Sequence, residues 1–182
     1  MINVIEEHCK TLSQAIYDNI LERLDLSHVT CSCGVTGDFI KYGSYHRIVK
    51  ELGATFSMKV QQVKCKACGY IHAILPGELV PYQQHSAKVQ RIILQLRLGS
   101  EDLNEIMDAN VQITESDVLR IRHRFKKHWA QRLMTMGMDL RCAISDLIQA
   151  SFSWFNRQFL QIRRGTNIKI FPPTFPKYTS DT

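Results

Sequence analysis

Cys31-Ser32-Cys33-Gly34 and Cys65-Lys66-Ala67-Cys68-Gly69 are the two stretches that decide how this chain folds. Each cysteine pair is closed by a glycine, and β-like sequence separates the pairs. A tight turn that aims backbone N–H groups at two sulfurs demands a positive φ after the second cysteine, which glycine adopts without steric cost. Four thiolates at about 2.3 Å around one Zn²⁺ make a closed, structural tetrahedral site. The spacing therefore predicts a small β-rich four-cysteine zinc ribbon over residues 31–82, holding one structural Zn²⁺ on Cys31, Cys33, Cys65 and Cys68. The first pair is C-x-C, one residue shorter than the usual knuckle, so His28, His46 and His72 stay open as substitutes for one ligand. Strands this short bury little core alone, and the metal would supply much of the region's stability. The competing readings are buried reduced cysteines and a redox dithiol, the latter lacking any βαβ frame around its C-x-x-C. Cys9 and Cys142 have no partner at ligand spacing and read as small core residues.

Outward from the cysteines, glycine punctuates short β-like pieces at residues 39–42, 45–49, 55–64 and 70–75, with a hairpin turn at residues 51–53. Upstream, Leu12, Ile16, Ile20 and Leu24 recur every four residues, the stripe of an amphipathic helix over residues 10–24. Downstream the helical period returns. Ser86 caps a helix with Val89, Ile92, Ile93 and Leu96 on one face, and Gly99 stops it. Ser100 caps a second short helix that buries Leu103, Ile106 and Met107. Thr114 starts a third, running to about Leu133, with acids in its first turn where the helix dipole favours them. Residues 134–138, with Gly137, form a break. A fourth helix is expected from about Asp139 to Gln161, followed by a proline-containing extended tail. The fold class is α+β: an N-terminal amphipathic helix in residues 1–30, the ribbon in 31–82, a helix-turn-helix-like region in 83–136, and a C-terminal helix and tail in 137–182.

At 182 residues with 23 Lys+Arg against 17 Asp+Glu, the chain carries a formal charge of +6. Hydrophobic content of 45% excludes wholesale disorder. No apolar run is long enough to span a bilayer, so no membrane partner is expected. The N-terminus lacks the basic-then-apolar order of a secretory signal, and six cysteines are too few for a disulfide scaffold, which points to a cytoplasmic protein with reduced thiols. The positive charge is concentrated late: residues 81–182 hold fifteen basic against nine acidic groups, whereas residues 1–30 hold two against five.

That charge converges on the third helix. If Val118, Ile121, Phe125 and Trp129 face the core, then Arg120, Arg124 and Lys127 face outward, flanked by Arg122 and Lys126. Long cationic donors reach phosphates, and arginines near a helix start reach guanine edges. Thr114 and Ser116 at its N-terminus join the candidate DNA contacts. A merely solvated helix mixes signs, but no acid occurs between Asp117 and Asp139. Three helices with a basic third match a helix-turn-helix layout and name double-stranded DNA as the partner. In the tail, Phe152, Phe155, Phe159 and Ile162 share a helical face, and Arg157, Arg163 and Arg164 form either a second phosphate contact or a solvated end.

Cys65-Lys66-Ala67-Cys68-Gly69-Tyr70-Ile71-His72, followed by Leu75-Pro76 and Val80-Pro81-Tyr82, resembles an uncharacterised bacterial zinc-ribbon and helix-turn-helix family, a domain of unknown function similar to the N-terminal regions of insertion-sequence transposases. The segment from Arg157 to Arg164, with Asn167 and the Pro-Pro-Thr at 172–174, is similar to the family's tail. The resemblance implies a mobile-element context with a transposase, integrase or ATPase nearby. Beside it, His72 reads first as a partner of a backbone carbonyl at a strand edge and second as a fifth ligand, a group behind the ligands or an alternative ligand. Pro76, Pro81 and Tyr82 read as fixing the exit from the ribbon, with the tyrosine ring packed and its hydroxyl wet.

No catalytic constellation is recognisable. The acids after the ribbon, except Asp181, fall on apparent helices, no strand set follows to carry metal-binding carboxylates, and no nucleophile elbow, P-loop or H-E-x-x-H occurs. The expectation is no enzyme, but a zinc-dependent DNA-binding protein acting as an accessory or regulatory factor of a transposon-like element. Its alternatives are a protein-interaction adaptor that docks a transposase or ATPase with little DNA affinity, and a truncated, non-catalytic transposase remnant.

Overall fold

A computed structural model describes residues 2–4, 12–96, 100–109, 113–139, 141–155 and 160. The chain divides into two compact units, Met1–Val89 and Gln90–Thr182. The architecture is α+β.

The first unit is built on a sheet. Its elements are β1 (Ile2–Val4), α1 (Gln14–Arg23), β2 (Phe39–Glu51), β3 (Ala54–Cys65) and β4 (Ile71–Pro76). β2, β3 and β4 pair antiparallel, and β1 adds in parallel beside β4, giving the order β1-β4-β3-β2. The two short pieces expected before residue 50 are one strand. Gly43 does not interrupt it but marks a bulge, where the register shifts between Lys41 and Gly43. The turn expected at residues 51–53 is present as the Leu52-Gly53 link, with Gly53 at φ 72°.

Along β3 the buried positions change phase, from Met58 and Val60 to Val63 and Cys65. Successive strand residues face opposite sides, so the sheet buries one face towards its hairpin end and the other near the cysteines. On the first face Met58 and Val60 join Leu12, Tyr17, Val49, Leu75 and Leu79. On the second, Val63 joins Ile2 and Ile74, with Leu24, Leu26, Val29 and Phe39 packed against them.

Among the described residues before position 30, β1 pairs with β4 and α1 is tied to the sheet. Ser13 caps α1 by accepting from the Ile16 N–H at 3.3 Å, which starts the helix later than the apolar period suggested. Tyr17 is its central anchor. The fully buried hydroxyl donates to the Ile74 carbonyl and accepts from the Gln61 N–H, both at 2.9 Å, so one side chain ties α1 to β3 and β4.

The helical part comprises α2 (Ala87–Gln95), α3 (Glu101–Ala109), α4 (Glu115–Thr135) and α5 (Ile144–Phe155). The starts of α2, α3 and α4 follow the sequence. Ser86 accepts from the Val89 N–H, Ser100 from the Leu103 N–H, and Thr114 from the Asp117 N–H. At α4 the cap is reciprocal, since Asp117 also accepts from the Thr114 N–H. Val118, Ile121, Phe125, Trp129 and Leu133 are all buried, and the Trp129 ring meets Phe155 of α5 edge-on at 4.7 Å. α5 starts at Ile144, not near Asp139, because Asp139 accepts from the Arg141 N–H in a preceding turn. Among the described residues no helix is long and apolar enough to cross a membrane.

Candidate metal centre and basic helix

Two turns bring the cysteines together. In the first, the Gly34 N–H donates to the Cys31 carbonyl at 3.0 Å; in the second, the Gly69 N–H donates to the Cys65 carbonyl at 2.9 Å. Gly34 and Gly69 sit at φ 92° and 73°, the left-handed conformation the sequence pattern required after each pair. The Lys66 N–H, inside the second turn, donates to the Asp38 carbonyl at 3.0 Å, and its ammonium pairs with the Asp38 carboxylate at 3.1 Å. This tie fixes the second turn to the start of β2.

The sulfurs of Cys31, Cys33, Cys65 and Cys68 all lie within 4.8 Å of one another. Cys31 and Cys68 are 3.7 Å apart, Cys33 and Cys65 3.9 Å, and none forms a disulfide. A tetrahedron with metal–sulfur bonds of about 2.3 Å has edges of about 3.8 Å, so the one-residue-shorter first knuckle still reaches. Cys31 and Cys65 are buried; Cys33 and Cys68 are exposed. Cys142 is exposed and outside the cluster, which removes it from the core where the sequence put it. Cys9 lies outside the described residues.

The electrostatics of the four sulfurs call for a cation. The Cys33 backbone N–H, helped by His72 and the neighbouring thiols, brings the Cys31 thiol down to about 5 against its desolvation. The Tyr70 N–H favours the Cys68 thiolate too, but desolvation and the sulfurs of Cys33, Cys31 and Cys65 outweigh it and push Cys68 up to about 12. Four thiolates so close do not all ionise unless positive charge sits among them. The set is able to hold one metal ion.

His72 is buried, and its Nε2 lies 3.2 Å from the Cys31 sulfur. The ring stands between Phe39 and Tyr70, with centroids 5.6 Å and 4.9 Å away. This nitrogen stands beside a candidate ligand, in keeping with the second of the two readings of His72. His46 and His28 are exposed, the first within 3.3 Å of the Ser57 hydroxyl and the second 4.0 Å from Asp25, and neither belongs to the cluster.

On α4 the outward residues divide by what they touch. Lys126 and Lys127 are exposed. Arg120 is exposed but pairs with Asp117, whose side chain is only 3% exposed. Arg124 is half-buried. Arg122 is turned inward: its Nε and Nη2 donate to the Ile93 carbonyl at 3.2 and 3.1 Å, and Nη2 also to that of Leu96. It therefore caps the C-terminal carbonyls of α2 across the unit, and burial lowers its pKa. Thr114 and Ser116 share a hydroxyl contact at 3.0 Å at the exposed N-terminus of α4. Arg157, Arg163 and Arg164, with Phe159 and Ile162, lie outside the described residues, while Phe155 is buried and Phe152 half-buried.

The fold and the site define an α+β protein with a four-cysteine cluster able to bind one metal ion. Residues 30–112, which include both cysteine pairs and the two helices that follow, match the model of a family described as a domain of unknown function (DUF6431). No curated protein and no solved structure matches the chain.

Proposed function

We propose that the protein is a zinc-dependent, non-catalytic DNA-binding protein, an accessory or regulatory factor of a transposon-like element. In this reading Cys31, Cys33, Cys65 and Cys68 hold one structural Zn²⁺ in a zinc ribbon, and α2–α4 act as a helix-turn-helix in which α4 meets double-stranded DNA. All-sulfur ligation in a tetrahedral cluster suits zinc among abundant divalent ions. The observation that carries the DNA reading is the asymmetry of α4. One face is sealed by Val118, Ile121, Phe125 and Trp129, while Arg120, Lys126 and Lys127 are exposed on a stretch free of acids from residue 118 to residue 138. Phosphate attraction by such a face is sequence-independent and salt-sensitive. The mobile-element context rests on the resemblance of residues 65–82 to transposase-like N-terminal regions. Anisotropy of a labelled duplex titrated with zinc-loaded protein tests the reading: binding should weaken as salt rises and weaken further in Lys126→Ala and Lys127→Ala.

A second reading has its own observation. Ile40, Tyr42, Tyr70 and Ile71 are exposed near the cysteine turns. Apolar groups gathered there suit a protein partner, as in an adaptor that docks a transposase, integrase or ATPase. That reading expects no salt-dependent duplex affinity.

A further inference from the structure

Tyr82 is the one non-glycine residue with positive φ among the described residues, at 60°. It occupies a β-turn closed by the Gln83 N–H donating to the Val80 carbonyl at 3.1 Å, with Pro81 in the second position and Tyr82 in the third. Proline there with a left-handed third residue is a type II turn, whose third position favours glycine or asparagine. A tyrosine at this point crowds its Cβ against the following carbonyl. Its surroundings impose the conformation. Arg47 donates through Nη2 to both the Val80 and Gln83 carbonyls, and Lys50 bonds Gln84 and Ser86 through its own N–H and carbonyl, at 2.8 and 3.0 Å. Val80 and Pro81 are buried, whereas Tyr82 is 67% exposed. The packed ring expected from the sequence is not what this side chain provides. A strained residue that is also displayed to solvent is a pointer to function rather than packing.

The charge below the turn indicates what the ring meets. Arg47 is half-buried, and among the described residues no carboxylate pairs with it; its neighbours are backbone carbonyls and Tyr45, itself exposed. A guanidinium without a carboxylate attracts an anion, and an exposed phenol ring offers a face to a flat one. We propose that the Val80–Gln83 turn is a second nucleic-acid contact, in which Tyr82 stacks on an unpaired base and Arg47 supplies positive charge towards the adjoining phosphate. Stacking of this kind tolerates any base, because every base has a π-face. The proposal goes beyond duplex binding by α4 and is tested separately from it.

The test uses zinc-loaded full-length protein and two labelled probes of one sequence, a blunt duplex and the same duplex with a single-stranded end. Wild type should bind the second more tightly. Tyr82→Gly and Tyr82→Asn fit the turn and should keep or raise the melting temperature, yet lose about five- to a hundredfold in affinity for the single-stranded end. Both should bind the blunt duplex as wild type does, and Tyr82→Phe should retain the preference. Equal binding of the two probes by wild type overturns the proposal, as does an unchanged preference in Tyr82→Gly. A marked fall in melting temperature in both variants also overturns it, since the ring would then be structural. Loss of blunt-duplex binding by wild type would instead defeat the reading of α4, while leaving the single-strand preference measurable.

Discussion

The Nε2 of His72 lies 3.2 Å from the sulfur of Cys31, and its ring makes edge contacts with Phe39 and Tyr70. With a metal bound, a ring N–H donated to a thiolate would spread the negative charge that four sulfurs place on one ion, and would orient the ligand at the same time. His72→Ala should therefore fold with metal bound but release it to a competing chelator at about 10–100-fold lower chelator activity than wild type. Unchanged retention would show that the contact does not support the site.

The ligands themselves predict a sharper outcome. If the cluster holds a metal as proposed, Cys65→Ser or Cys68→Ser should release it and unfold residues 31–80, because the turns would lose the ion joining them. Cys142→Ser, outside the cluster, and Cys9→Ser should leave one zinc per chain. Elemental analysis of protein purified without chelators, read beside circular dichroism, decides the matter. Absence of zinc in wild type would remove the zinc assignment.

Tyr17 supports the sheet unit from the opposite side. Tyr17→Phe removes the hydroxyl from the Ile74 carbonyl and the Gln61 N–H, and should cost about 1–3 kcal/mol in denaturant unfolding. Burial pushes the phenol up to about 12 from 10.0, against the pull of the Gln61 N–H. The folded state thus holds the proton that the unfolded chain surrenders first. The resulting stabilisation is complete below pH 10 and is lost as pH rises from about 10 towards 12. Tyr17→Phe should lack that part of the alkaline decline.

Arg122 separates structure from recognition on one helix. Arg122→Ala should lower the stability of the helical unit by about 1–2 kcal/mol, since the Ile93 and Leu96 carbonyls lose a charged donor. Its salt slope for duplex binding should equal that of wild type. A reduced slope with unchanged stability would return Arg122 to the phosphate contacts.

What was legible in the sequence was whatever short-range chemistry dictates. Glycine after each cysteine pair announced the positive-φ turns, and Ser86, Ser100 and Thr114 announced three helix starts. The spacing of Val118, Ile121, Phe125 and Trp129 announced the buried face of α4. Long-range choices were hidden. β1 is only three residues and owes its existence to β4, which no local signal in Ile2–Val4 encodes. The period through Leu12 and Leu24 masked Tyr17, whose role depends on carbonyl and N–H groups far along the chain. Gly43 looked like a strand end because a bulge and a break share the same residue. Arg122 looked like its cationic neighbours, and only the approach of the α2 terminus distinguishes it.

The salt dependence of duplex binding tests the central claim most directly. Each phosphate contact contributes about 0.9 to the slope of log affinity against log salt. Wild-type protein should show a slope of several such contacts, and Lys126→Ala and Lys127→Ala should each reduce it by about 0.9 without lowering the melting temperature. A wild type with no salt-dependent affinity for any duplex, or lysine variants with an unaltered slope, would contradict the assignment of α4 as the DNA-binding helix.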